Sequence, residues 1–354
     1  MNHLAIEVLA RRLPKADLHL HFHGGLTPST VHRIRHGRER TKLRDAADAI
    51  YDYRSGEKFF TDLEHIAGWM DTRELAREAA LDVLAGAVDN GCRHVELMVT
   101  PETHRLHAGL DPLELLRAVG DAFTYARELW NLTGGILVEY HRPDGHIAAI
   151  DTLRVAVTAR DAGIPIAGIG NDGSPYPVLF SELADSYEAA RSEGFKLCGH
   201  VDTAQDVVDA LAIGLDRLDH AFDLADNPAA LAEVRDARTP VTMCITSNCI
   251  MLPQRFPTAN EHPFERFRCE GVAVSLHTDD PPMFFTDLSQ EYRSAATAYG
   301  WNPAQLADVA DASLDAAWLD SVDADTIRDT WRRDSSALLA DPYAPHRSIE
   351  RTIT

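Results

Sequence analysis

The sequence predicts an α/β fold, a closed (β/α)₈ TIM barrel with extra helices at its N- and C-terminal ends. Three observations predict it: short apolar runs alternate with longer amphipathic segments, eight such runs occur, and nearly every run ends in His, Asp, Asn or Thr. Strand–helix alternation implies parallel strands joined by right-handed crossovers. Eight repeats suit a closed barrel better than an open doubly wound sheet. In such a barrel the C-terminal strand ends carry the chemistry.

The runs are KADLHLHFH (15–23), RHVELMVTP (93–101), GGILVEYHR (134–142), IPIAGIGND (164–172), FKLCGHVD (195–202), LDRLDHAFD (215–223), VTMCITSN (241–248) and VAVSLHTDD (272–280). Between them lie helical patterns such as TDLEHIAGWMDTRELAREAALDVLAGAVDNG, which stops at the Asn-Gly expected just past a helix. The acidic stretch DLADNPAALAEVRDA (223–237) reads as a solvated helix with its lead-in. Trp69, Trp130, Trp301, Trp318 and Trp331 fall in helical patterns and read as packing residues. No low-complexity linker, repeat or charge block divides the chain, so residues 1–354 are expected to form one domain.

The net charge of −21 repels phosphate backbones and anionic lipid, so neither nucleic acid nor membrane is expected as a partner. A small-molecule substrate is expected instead, and a homo-oligomer is compatible with the sequence. The cysteines form no CxxC pair, and most sit in apolar runs as reduced thiols do. The N-terminal segment MNHLAIEVLARRLPK lacks a signal-type apolar core. A cytoplasmic protein is the expectation.

His19 and His21 are one residue apart on a predicted strand, so period-two geometry points both imidazoles to one side. At a barrel mouth that side is inward. His23 continues the row. Taken alone, such a pair fits equally a strand end that only hydrogen-bonds. The other runs supply what a metal still needs: His200, His220, Asp279 and Asp280 each sit at the C-terminal end of a strand. Groups so distant in sequence converge only if the strands close on a common axis. Imidazole plus carboxylate ligation with an open position is a hydrolytic site, for zinc by default.

The pattern resembles the adenosine/adenine deaminase branch of the amidohydrolase superfamily over essentially the full length. LPKADLHLHFHGGLTPS (13–29) resembles the family opening, RHVELMVTPETH (93–104) the second-strand segment, CITSN (244–248) the strand 7 motif, and HPFERFRCEGVAVSLHTDDPPMF (262–284) the strand 8 block. The resemblance implies a metallo-dependent hydrolase barrel with one divalent metal per chain, most simply Zn²⁺, held by His19, His21, His200 and Asp279. It implies that His220 orients and helps deprotonate the attacking water, and that Asp280 hydrogen-bonds a ring nitrogen of the substrate. The expected reaction is hydrolytic deamination of an aminopurine or related amino-heterocycle, a step of purine metabolism.

The sequence departs from the family after His200. Its relatives carry His-Ala-Gly-Glu, where the Glu protonates the purine ring; here the segment is His200-Val201-Asp202-Thr203. The hydroxyl of Thr203 is no carboxylic acid at neutral pH. Three readings follow. Asp202 replaces the Glu, the substrate is electrophilic enough or supplies its own proton, or the chain hydrolyses a different C–N bond in a specialised pathway. A non-catalytic ligand-binding homologue is a further alternative, opposed by the retained ligand set. His23 stands where the family has Asp or Glu, and would suit a substrate carboxylate or phosphate or serve as an inert hydrogen-bonding group. Asn171 falls near a backbone position that contacts purine in the family. Asp219-His220-Ala221 replaces Gly-His-Gly, and His277 stands where Asn or Ser is common.

Overall fold

A computed structural model describes residues 3–36, 56–319 and 324–344. All eight predicted runs form strands: β1 (Lys15–His21), β2 (Cys92–Val99), β3 (Thr133–His141), β4 (Ile166–Asp172), β5 (Lys196–Leu197) with β6 (His200–Val201), β7 (Leu218–His220), β8 (Val241–Met243) and β9 (Val274–Leu276). β5 and β6 are two halves of the fifth run. Every ladder is parallel, in the order β1-β2-β3-β4-β5 and β6-β7-β8-β9.

Single backbone bonds close the two arcs into a ring. Cys198 N donates to Ile169 O at 2.9 Å and Asp219 N to Gly199 O at 3.0 Å, which carries the fifth run across the break between β5 and β6. At the seam, Asp279 N donates to His19 O at 2.8 Å and His21 N to Asp279 O at 3.0 Å. The first strand and the end of the last run are thereby stitched together at His19, His21 and Asp279.

Helices wrap the outside, capped by local chemistry. Asp111 accepts from Leu113 N and Glu114 N to start α6 (Pro112–Trp130), whose first residue is proline. The long pattern at 61–91 becomes two helices, α3 (Gly56–Gly68) and α4 (Arg73–Asp89), because Thr72 adopts an extended backbone and its hydroxyl accepts from Leu75 N. Earlier in order are α1 (His3–Arg12) and α2 (Pro28–His36); α5 (Pro101–Ala108) precedes α6. The acidic stretch forms α10 (Pro228–Ala237) with Asn227 as cap, after α7 (Gly145–Asp161), α8 (Ala184–Ser192) and α9 (Ala204–Ile213).

Two expectations need correction. The run VTMCITSN is strand only as far as Met243; its second half opens α11 (Ile245–Met251), which turns Ser247 and Asn248 over the barrel mouth. Three of the five tryptophans lie outside helices, Trp69 in the turn just after α3. Trp301 follows Gly300, the left-handed cap of α13 (Leu288–Tyr299), and is buried against Phe264. Trp318 follows α14 (Pro303–Asp315) and stacks on Arg217, whose guanidinium lies 4.1 Å from the ring centroid. α12 (Phe264–Cys269) and α15 (Ala324–Ala340) complete the shell, the latter being the expected extra C-terminal helix.

Beneath the mouth the barrel interior is polar but paired. Arg217 donates to Glu96 at 2.7 Å with both side chains fully buried. Burial opposes the charge of Glu96, but Arg217 outweighs it and holds the carboxyl down at about 2.

Candidate metal centre

Four side chains meet at the mouth. The ligand atoms of His19, His21, His200 and Asp279 all lie within 4.8 Å of one another. His21 Nε2 is 3.2 Å from His200 Nε2 and 3.3 Å from Asp279 Oδ1. His19 Nε2 lies 3.6 Å from the same oxygen and has no hydrogen-bond partner.

Partners on the far side of each ring explain why those nitrogens face inward. His200 Nδ1 donates to Asn171 O at 2.5 Å. His21 Nδ1 faces Glu139 Oε2 at 3.3 Å. His19 Nδ1 donates to Thr242 Oγ1 at 3.2 Å, and the Thr242 hydroxyl donates in turn to Asp219 Oδ1 at 2.5 Å. With each Nδ1 carrying the proton, all three Nε2 atoms present lone pairs to one point, which is costly unless a cation takes them up. The buried, unpartnered His19 Nε2 is the clearest sign. The donor set therefore fits a divalent metal of the zinc type.

The backbone is forced to make this arrangement. Three of the six described non-glycine residues in the left-handed region are at the mouth: His220 (φ 61°), Ala221 (φ 46°) and Asp279 (φ 66°). Such residues cost on the order of 1–3 kcal/mol each and persist where function holds them. At Asp279 the turn lets two consecutive carboxylates face the same space.

That space is a cavity of about 270 Å³ above the cluster. Asp280, Asp202, His220 and His23 line it together with His21, His200 and Asp279. Phe59, Leu63, Phe222, Met251 and Phe284 form its apolar wall. His220 Nδ1 accepts from Asn248 Nδ2 at 3.2 Å, and Asn248 Oδ1 accepts from His262 at 3.0 Å. This leaves the proton of a neutral His220 on Nε2, the nitrogen that lies 3.9 Å from Asp279 Oδ2. Ser247 donates to the same oxygen. Burial, and then the charge of Asp279, push the Asp280 carboxyl well above its usual range. Its Oδ1 has no partner. A side chain on Gly24 would collide with Asp280, since a Cβ there would sit 1.5 Å from Oδ1.

Two residues expected at the site are elsewhere. Thr203 does not line the cavity; it caps α9, its hydroxyl accepting from Asp206 N at 3.1 Å. Asn171 is buried with its side chain turned to Tyr187, whose hydroxyl donates to Oδ1 at 2.8 Å; only its carbonyl serves the site, through His200. Asp202, by contrast, is half-buried in the cavity wall, and burial raises its carboxyl above the ordinary value. His23 is buried against the ring of His104, and burial lowers it to about 4. It is neutral at pH 7, which removes the cationic role considered for it.

The sequence reading missed Glu139, Asp172, Ser247 and Asn248. Asp172 closes β4, lines the cavity and accepts from Thr100 Oγ1 at 3.0 Å and Gly173 N at 2.6 Å. A period-two count along GGILVEYHR and IPIAGIGND puts Glu139 and Asp172 at strand ends, a signal the sequence contained.

A family model described as adenosine deaminase matches residues 14–332. The chain belongs to the adenosine deaminase family. An aminodeoxyfutalosine deaminase of Streptomyces avermitilis is 30% identical over 87% of each chain. An adenine deaminase of Cupriavidus taiwanensis is 28% identical over 87% of this chain and 88% of its own. Among solved structures, an amidohydrolase of Burkholderia ambifaria with bound zinc superposes with a TM-score of 0.85 at 22% identity, covering 98% of this chain and 96% of that one. Adenine deaminase of Arthrobacter aurescens superposes with a TM-score of 0.83 at 19% identity, covering 93% and 99%. These family structures share the barrel.

Proposed function

We propose that the protein is a metal-dependent hydrolytic deaminase that releases ammonia from an aminopurine or related amino-heterocycle. The observation that carries the reading is the inward convergence of three imidazole lone pairs and Asp279, each ring fixed from behind. His19, His21, His200 and Asp279 would hold one divalent cation, which supplies the Lewis acidity that makes water nucleophilic at neutral pH. Zinc is the natural choice for this donor set, and the Burkholderia ambifaria relative holds zinc.

The chain's own groups divide the remaining work. His220, held by Asn248, positions the attacking water by donating a hydrogen bond to its oxygen from Nε2. Asp280, whose carboxyl burial and Asp279 push upward, faces the cavity and hydrogen-bonds a ring nitrogen of the substrate. Asp202 stands in the wall beside His200 and is the carboxyl available in place of the family's Glu. His23, neutral, offers a hydrogen bond at the far end. The apolar wall excludes bulk water and stacks on a planar ring.

The names of the relatives (adenine, adenosine and aminodeoxyfutalosine deaminases) support an aminopurine-like substrate. We further take residues 1–354 as one catalytic domain working in the cytoplasm. All five cysteines are free, and no described helix is long and apolar enough to cross a membrane. The deciding experiment is ammonia release by zinc-loaded protein from adenine, adenosine, aminodeoxyfutalosine and related amino-heterocycles. Turnover of at least one is expected; turnover of none refutes the reading.

A further inference from the structure

Behind the ligands sits a carboxylate with no evident structural duty. Glu139 lies on β3, where strand alternation turns it inward while Tyr140 points outward and donates to Ser186 O at 3.2 Å. Glu139 is 1% exposed. Its Oε2 is 3.3 Å from His21 Nδ1 and accepts from Thr100 Oγ1 at 3.3 Å. Its Oε1 is 3.8 Å from His200 Nδ1 and has no hydrogen-bond partner. Thr100 has a single hydroxyl proton, for which Asp172 at 3.0 Å competes. No Lys or Arg is recorded as paired with Glu139 among the described residues. A buried carboxylate held so loosely is costly unless positive charge nearby compensates it.

We infer that Glu139 is the positioning residue of the metal centre: it orients His21 and flanks His200, so that both Nε2 lone pairs face one cation. The inference rests on the metal-centre reading above. Its Oε2 keeps the proton of His21 on Nδ1. Its negative charge, one imidazole away on two sides, makes both rings better donors and offsets part of the charge of a dication. The duty is shared unequally: His200 already has a firm partner in Asn171 O, so His21 depends most on Glu139. Thr100 acts as the clamp that holds the carboxylate in register.

The test uses the full chain and zinc alone, with affinity read by competition against a chromogenic chelator. Glu139→Gln keeps the shape and an acceptor oxygen but removes the charge; Thr100→Val releases the clamp and leaves the charge. Glu139→Gln is expected to weaken zinc binding about 10- to 100-fold while the metal-free protein keeps its circular dichroism. The visible bands of the cobalt-substituted protein should shift as the His21 ring loses its fixed orientation. Thr100→Val should show the same changes to a smaller degree. A folded Glu139→Gln protein whose zinc affinity stays within twofold of wild type, with unchanged cobalt bands, overturns the inference. If Glu139→Gln does not fold, Thr100→Val decides on the same two readouts. Wild-type protein that binds no zinc overturns the metal-centre reading and this inference with it, whereas unaltered variants beside a zinc-binding wild type overturn this inference alone.

Discussion

Thr203 Oγ1 accepts from the amide of Asp206 at 3.1 Å, so the side chain at the family's acid position faces the start of a helix rather than the cavity. Its neighbour Asp202 faces the cavity instead. Asp202→Asn should therefore lower kcat on the best aminopurine by about 10²- to 10⁴-fold, the usual contribution of a general acid. Metal content should not change. Thr203→Glu should give no gain in adenine or adenosine turnover and should lose a cap, at about 1 kcal/mol of stability. Steady-state kinetics and urea unfolding of both variants check this. A gain on Thr203→Glu with an indifferent Asp202→Asn would show that the acid belongs at position 203 and that the natural substrate does without it, which is where hydrolysis of another C–N bond becomes the better reading.

Asp279 faces two ways, since Oδ1 lies towards His19 and His21 while Oδ2 receives Ser247. Asp279→Ala should leave less than stoichiometric zinc and background activity. His200→Ala should do the same. Elemental analysis of purified protein, before and after chelation and zinc restoration, reads the outcome. Chelator-treated wild type should regain activity with added zinc, and the two variants should not.

Four carboxylates line the cavity (Asp172, Asp202, Asp279 and Asp280), and among the described residues no Lys or Arg does. Burying a phosphate dianion beside Asp172, whose carboxyl the nearby imidazoles hold low, juxtaposes like charges at a cost of several kcal/mol. With His23 neutral, no side chain described there compensates. A nucleoside 5′-phosphate should thus have a kcat/KM at least about 100-fold below that of the corresponding nucleoside or free base. Matched assays on adenine, adenosine and adenosine 5′-phosphate measure it; equal or better use of the phosphate would refute the charge argument.

Much of this site was legible before any coordinates. Eight apolar runs ending in polar residues fixed the barrel, and strand period alone sent His19 and His21 to the same side. The metal set could be assembled because each member sits at a strand end, whose position in a barrel is known in advance. What sequence could not resolve was local competition for a side chain. Thr203 was available either to the cavity or to the four orphan N–H groups of α9, and the helix took it. Asn171 was equally available, and Tyr187 took it. The two-helix break at Thr72 has the same origin, a hydroxyl that satisfies a helix start. Glu139 was overlooked for the opposite reason: a lone Glu in an apolar run gives no hint of its partners, because those come from β1 and β6.

Glu291 offers a test of the barrel's outer wiring that is independent of the metal. It is buried on α13, where its Oε2 accepts from Thr246 N at 3.3 Å and its Oε1 from Thr286 Oγ1 at 2.8 Å. Burial outweighs both bonds, and the distant charge of Asp17 adds to it, raising the carboxyl from 4.5 to about 7. Below about pH 4.5 both folded and unfolded chains hold this proton, and it has no effect on stability. Between 4.5 and 7 the unfolded chain loses the proton while the folded one keeps it, so stability falls as pH rises, by a total of about 3 kcal/mol. Above 7 the full cost remains. Glu291→Gln can accept from Thr246 N through its oxygen and donate to Thr286 through its amide, with no charge to bury. The variant should accordingly be more stable than wild type at pH 8, and its advantage should shrink by roughly 2 kcal/mol at pH 5.5. Urea unfolding followed by tryptophan fluorescence at the two pH values measures the difference. An advantage that does not change with pH would mean that Glu291 is ionised in the folded protein throughout this range.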